Sequence, residues 1–254
     1  MGRPVAWLAA VLAGALSACE RQPAAKAPVP APPPPAPWDS AWPMTRGEPT
    51  LSGRVRAPAP VAPTIEWTYR AGTAITSEAA IADGLIVVGD DNGGIHAVDL
   101  ATRTLRWRIT TGDTVEAAPA ITAGKVLVGS KNGVFRALDA ANGQLRWSHE
   151  GDDKFPTGAT LAADGQWVLA NGYDGITRCW RATDGTEVWR HDTGDYINGS
   201  PALLNDGRIV FGGCDARLHI LALTDGTATT GYESAAHIVR SLAAWDTAVY
   251  GVNH

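Results

Sequence analysis

What the chain lacks narrows its class first. Lysine and arginine number 21 against 26 acidic residues, the formal net charge is −5, and the basic residues form no stripe. Nucleic-acid backbones demand a concentrated positive surface, so that partner is not expected. The N-terminal apolar run, Val5 to Leu16, is too short for a bilayer, which takes about 20 residues to cross. No ten-residue helical pattern fits between the short apolar segments after Ile65. There is no Ser-His-Asp order, no pair of catalytic carboxylates and no phosphate loop. DDNGG, Asp90 to Gly94, lacks the spaced acids and terminal Glu of a calcium loop and reads as a hairpin turn. What is present is the balance of an ordinary globular protein, 45% hydrophobic and 19% charged, with ten tryptophans to be explained.

Residues 1–19 read as a signal peptide, with one Arg, a short apolar run and then small residues. Leu16-Ser17-Ala18-Cys19 resembles a bacterial lipobox, which would make Cys19 the lipidated first residue of the mature protein. Ordinary secretion with cleavage near Ala18 is the alternative. Glu20 after the cysteine favours the outer membrane, facing the periplasm or at the cell surface. Residues 20–41 form a linker that from Arg21 to Pro37 is mostly Ala and Pro, a composition that buries no apolar surface and extends as polyproline II. At about 3.1 Å per residue this tether would hold a domain tens of ångströms from the membrane. A ligand for an aromatic groove is the other use of such a tract.

From Ile65 the chain is periodic. Trp67, Trp107, Trp147 and Trp189 are spaced by 40, 40 and 42 residues. One period contains EAAPAIT, KVLVGS, VFRALD and QLRWSHE, four short strand-like segments separated by Gly and Asn turns. Four antiparallel strands per period make a propeller blade. The first segments of each copy (SEAAI, AAPAI, TGATL, GSPAL) are rich in small residues, as a crowded hub requires. Complete blades are expected at Thr76–Ile109, Glu116–His149, Thr157–His191 and Gly199–Tyr232. Ile65–Arg70 is expected as a lone outer strand and a half blade follows to His254.

The phrase ALDAANGQLRW, Ala137 to Trp147, resembles the tryptophan-docking motif of the pyrroloquinoline-quinone-like (PQQ-like) propeller family. The resemblance implies an all-β propeller whose Trp lies in the seam between blades while the Gly permits the turn. Ala137, Asp139, Gly143 and Trp147 match in full; Ala97, Asp99 and Trp107 match, with Arg103 at the Gly position. The third copy keeps only Gly185 and Trp189, and the fourth only Gly226, with Thr230 for Trp. Degraded copies imply looser seams. Trp67 begins the series, whereas Trp7, Trp38 and Trp42 lie outside it and should matter little to stability. The family is typically eight-bladed, so about 4.5 blades imply the front portion of a longer protein. The organisation is then signal peptide 1–19, linker 20–41, lead-in 42–64 and repeats 65–254.

The family includes an envelope-assembly lipoprotein and alcohol-oxidising quinoproteins, so fold alone leaves function open. The vicinal cysteine pair typical of the quinoprotein alcohol dehydrogenases is missing. Cys179 and Cys214 sit at different places in adjacent repeats, which disfavours a disulfide, and Cys214, His219 and His237 match no metal-ligand spacing. Strand parity gathers Glu78, Asp90, Glu116, Lys154, Phe155, Tyr173, Tyr196, Asn198, His237 and Arg240 on one face of loops. They form a docking surface or merely solvated loops. The reading carried forward is a non-enzymatic protein-binding or envelope-assembly scaffold, lipid-anchored, with no cofactor, no metal and no nucleic acid. The alternatives are a quinone-dependent oxidoreductase using PQQ with calcium and a sugar-binding sensor module.

Overall fold

The computed structural model describes residues 41–54, 62–162, 164–246 and 248–252. The signal peptide, Cys19 and the Ala/Pro linker up to residue 40 lie outside the described residues. The short β-branched runs become strands of two to six residues, and the described residues contain no α-helix. The first blade is β1 (Ala80–Ala82), β2 (Leu85–Gly89), β3 (Gly94–Asp99) and β4 (Leu105–Thr110), paired antiparallel in chain order. The second is β5 (Ala120–Thr122), β6 (Lys125–Gly129), β7 (Val134–Asp139) and β8 (Leu145–Glu150). The third is β9 (Thr160–Ala162), β10 (Trp167–Asn171), β11 (Ile176–Arg181) and β12 (Glu187–Asp192). The fourth is β13 (Ala202–Leu203), β14 (Arg208–Gly212), β15 (Arg217–Ala222) and β16 (Ala228–Glu233), followed by a hairpin of β17 (Ala243–Trp245) and β18 (Ala248–Tyr250). This is a partial β-propeller of four-stranded blades.

Turn chemistry sets the hairpins. Asp83 and Gly84 have φ of 51° and 73°, and Ala123 and Gly124 have 47° and 70°, so both centres of each first turn are left-handed. That turn twists in the same sense as its strands. The register then shifts at one place in every blade, after Ala97, Ala137, Cys179 and Ile220, where the outer strand carries an unpaired residue. The residue opposite each shift is Trp107, Trp147, Trp189 or Thr230. A bulge bends its strand and re-aims side chains, and here it stands beside the docking indole.

The core lies in the seams rather than within a sheet. One cluster joins Val87, Ile95 and Trp107 of the first blade to Ile121, Val126 and Leu138 of the second. Another joins the second, third and fourth blades through Phe135, Leu161, Trp180 and Val210. Each sheet therefore buries both faces, which explains why its middle strands are almost continuously apolar.

Two expectations need correction. Ile65–Arg70 is not a strand: it pairs through no backbone ladder among the described residues, and Ile65 is 84% exposed. Trp42 does not sit idle outside the repeats. Its backbone exchanges two hydrogen bonds with Ile81, at 2.7 and 2.6 Å, and its indole lies on Gly47, where a Cβ would come within 2.6 Å of Cε3. The lead-in goes on along the hub, burying Met44 and Leu51 completely.

Candidate functional site

One backbone bond repeats along a single face. The residue opening each second-to-third turn donates to the loop before its blade: Asp91 to Ala74 (3.0 Å), Lys131 to Thr114 (3.0 Å), Tyr173 to Lys154 (2.8 Å) and Cys214 to Tyr196 (2.8 Å). The loop answers in three seams through Val115 N–H to Asp90, Phe155 N–H to Ser130 and Ile238 N–H to Gly213. Turn and loop are thereby locked together, and their outward side chains stand side by side.

At the third blade this lock builds a ridge. The Lys154 ammonium sits 4.0 Å above the centre of the Tyr173 ring. Tyr173 in turn stacks on Tyr196, with centroids 4.3 Å apart and planes within 10°. Tyr196 is 49% exposed, so the stack presents aromatic surface to solvent while its loops are held rigid. Asn198 donates from Nδ2 to the Cys214 Sγ at 3.4 Å, extending the ridge into the fourth blade. His237 and Arg240 are exposed on the next loop. Sequence reasoning missed Lys131, which reaches Glu116 at 2.5 Å, and Cys214 as a face residue. The signal for both was their alignment with Tyr173 at the opening of the turns.

The structure separates three residues from this face, one of them Asp90, whose side chain is fully buried against His96. Phe155 is only 1% exposed, because loop residues alternate and Lys154 takes the outward position. Its ring packs edge-on to Phe135 at 5.8 Å, in the place that Val115, Ile197 and Ile238 fill in other seams. Glu78 is exposed but engaged by the lead-in, accepting from Thr45 Oγ1 at 3.0 Å and Arg46 N–H at 3.2 Å.

Beneath the ridge the turns are pinned to the third strands. Asp174 pairs with Arg178 at 2.5 Å, with only 4% and 7% of the side chains exposed. Burial pushes the Asp174 carboxyl up, but the hydrogen bonds and charge of Arg178, with the N–H groups of Ile176 and Asp152, bring it below the usual carboxylate range. The same place holds Asp90 with His96 (2.7 Å), Ser130 with Arg136 (2.7 Å) and Asp215 with His219 (2.8 Å). His96 is enclosed, since Tyr69 Oη meets its Nδ1 at 2.7 Å. These pairs brace turns.

The docking residues are architectural. The Trp107, Trp147 and Trp189 indoles donate to the carbonyls of Ala140 (2.8 Å), Ala182 (3.3 Å) and Leu223 (2.7 Å) in the next blade. Each indole lies on the glycine of that next copy: Trp107 on Gly143, Trp147 on Gly185, Trp189 on Gly226. The glycine thus serves the preceding tryptophan as well as its own turn. Gly226 persists in a copy without Trp for this reason, and the seam that it completes is tight, with Trp189 only 7% exposed. That corrects the expected loosening of this seam. Ala97 and Ala137 are fully buried opposite their tryptophans. Asp99 and Asp139 accept N–H bonds within the turn and pair with Arg106 and Arg146. Trp67 is half-buried, and Arg103 at the matching glycine place adopts φ of 63° and pairs with Glu66.

Cys179 and Cys214 are both free. Burial pushes the Cys179 thiol up to about 12; Cys214 is raised too, by burial and then by the charge of Asp195. Among the described residues no group of three His, Cys, Asp or Glu side chains is placed to hold a metal ion.

Comparison with known proteins agrees with this architecture. The family model described as outer membrane protein assembly factor BamB matches residues 51–172. The crystal structure of BamB from Moraxella catarrhalis is 23% identical, with a TM-score of 0.61 over 70% of this chain and 58% of that one. Quinohemoprotein alcohol dehydrogenase from Comamonas testosteroni is 15% identical, with a TM-score of 0.66 over 80% of this chain and 43% of that one. A europium-containing methanol dehydrogenase is 14% identical, with a TM-score of 0.62, 76% of this chain and 48% of that one. No curated protein matches the chain. The chain carries PQQ-like propeller repeats resembling those of BamB and spans 58% of that relative's length. At these identities the likeness is one of fold.

Proposed function

We propose that the chain is an exported, outer-membrane-anchored lipoprotein whose propeller is a protein-binding scaffold for envelope assembly. The observation that carries this reading is the Lys154–Tyr173–Tyr196 ridge, an exposed aromatic stack on loops locked to a rigid scaffold. Tyrosines of this kind offer large contact area at small entropic cost, and interfaces are enriched in them. The match to the BamB family model supports an assembly role. Export and lipidation rest on residues 1–19, with Cys19 as the acceptor and the Ala/Pro segment as the tether.

Pyrroloquinoline quinone does not fit the donors described at the hub. A planar tricarboxylate needs N–H and cationic partners. The inner-strand N–H groups of Ile81, Ile121, Leu203 and Ala244 are taken by carbonyls of the lead-in, and Met44 and Leu51 fill the space beside them.

Photo-crosslinking in the native envelope tests the proposal. A crosslinker placed at Tyr196 should yield one dominant protein adduct, and one at Asn142, on the opposite turns, should not. Adding Tyr173→Ala should abolish the adduct. Equal adducts from both positions would refute the ridge as the docking surface. Fatty-acid labelling that survives Cys19→Ala would refute the anchor.

A further inference from the structure

We infer that the hub is a binding site for a short peptide that crosses it from blade to blade, and that its resident ligand is the chain's own segment Trp42–Leu51. Each inner strand is the edge of its sheet and points at the hub an N–H that its own sheet does not take. The lead-in takes these groups one blade after another. Ile81 donates to Trp42 (2.6 Å), Ile121 to Pro43 (2.7 Å), Leu203 to Pro49 (2.7 Å) and Ala244 to Thr50 (2.8 Å), while Leu161 N–H points at Met44 Sδ at 3.4 Å. One ten-residue segment thus touches the first, second, third, fourth and fifth inner strands in chain order. Main-chain bonds supply affinity in strand-addition recognition, and pockets for alternate side chains supply specificity.

The pockets are present. Met44 and Leu51 are fully buried, and Met44 belongs to the cluster that joins the second, third and fourth blades. Thr45 is 5% exposed and gives its hydroxyl to Glu78. Its fit is close: a Cβ at Gly158 of the third blade would lie 2.7 Å from the Thr45 Cβ. Between the two halves the segment folds back through a turn closed by Gly47 N–H to Met44 O at 2.9 Å. Arg46 and Gly47 there have φ of 52° and 79°, and Leu51, whose N–H closes the next turn on Glu48, has 55°. For Arg and Leu that conformation is costly and persists where the surroundings hold it. The inner strands are only two or three residues long, and the ligand adds bonds across the seams beside direct ones such as Ala159 N–H to Ala118 O at 3.3 Å.

The test keeps the whole chain. A protease site is inserted between Arg56 and Ala57 and the protein is digested under native conditions, to leave the lead-in and propeller without a covalent link. The severed N-terminal piece should co-elute with the propeller in gel filtration. A fluorescent peptide of residues 41–54 should then exchange into the cut protein, and a scrambled peptide should not. With Met44→Asp in the chain the piece should separate after cutting, and the native peptide should still bind the vacated hub. Separation of the native piece without denaturant, with an unchanged melting temperature for the remaining propeller, would overturn the inference. So would equal uptake of native and scrambled peptides.

Discussion

Gly226 lies directly beneath the indole of Trp189: a Cβ on the glycine would come within 2.6 Å of Trp189 Cε3. The two belong to successive copies of one motif, and the glycine's own copy ends in Thr230, not Trp. Conservation of the phrase inside the chain therefore follows contacts across seams.

Gly226→Ala separates two roles of that glycine. Its φ is 70°, so any Cβ is strained, and this Cβ also displaces the indole. Gly194 has φ of 77° but nothing within 4 Å of its Cβ position, so Gly194→Ala carries only the backbone strain. Urea melts should give about 1 kcal/mol lost for Gly194→Ala and about 2–3 kcal/mol for Gly226→Ala. Equal losses would remove the docking role.

Trp147 is only partly buried, so Trp147→Ala should cost about 2–3 kcal/mol, at or below the lower end of the range for fully buried aromatic truncations. Trp42→Ala should be of similar size, about 3 kcal/mol, because the indole packs on Gly47 and fixes the first hub bond. A melting temperature unchanged by Trp42→Ala would mean that the lead-in packs on the propeller without stabilising it.

That contrast marks what was legible in the sequence. The blades could be read because their signals are local: Asp83-Gly84 and Ala123-Gly124 are turn chemistry carried by two adjacent residues, and the tryptophan period needs only counting. The hub could not, because Trp42–Leu51 pairs with strands from Ile81 to Ala244 and so leaves no period of its own. The loop face was legible in part. Parity between Lys154 and Phe155 depends on how the loop leaves the outer strand, and it sends the aromatic ring inward and the ammonium outward. The Tyr173–Tyr196 stack joins two loops 23 positions apart, and only the fold brings them together.

Thiol labelling should distinguish the two cysteines. A protein beginning at residue 20 carries only Cys179 and Cys214. Thiolate is the reactive form, and a thiol near 12 holds almost none at pH 8. Cys214 is half-buried, and Cys179 is inaccessible as well as protonated. Iodoacetamide at pH 8 should modify Cys214 slowly and Cys179 only after urea, as read by peptide mass. Modification of Cys179 in the native protein would contradict its place in the seam between the third and fourth blades.

The last prediction concerns acid. Asp174 and Arg178 are nearly buried together, and the Asp174 carboxyl is held below its usual range. A depressed carboxylate contributes stability that is complete above the unfolded value, about 4, and is lost as pH falls through the folded value. Asp174→Asn leaves the guanidinium buried without its counter-charge, which costs about 3 kcal/mol at pH 7. In the unmodified protein, protonating Asp174 creates the same uncompensated guanidinium. The gap between the two proteins should therefore stay constant from pH 7 to pH 5 and close as pH falls below about 4. The double replacement Asp174→Leu with Arg178→Met removes both charges, so its stability should exceed that of Asp174→Asn throughout. Urea midpoints from pH 7 down to the lowest pH at which all three proteins fold would measure these gaps. A gap that is unchanged into acid would mean that Asp174 stabilises the turn by its shape and hydrogen bonds rather than by its charge.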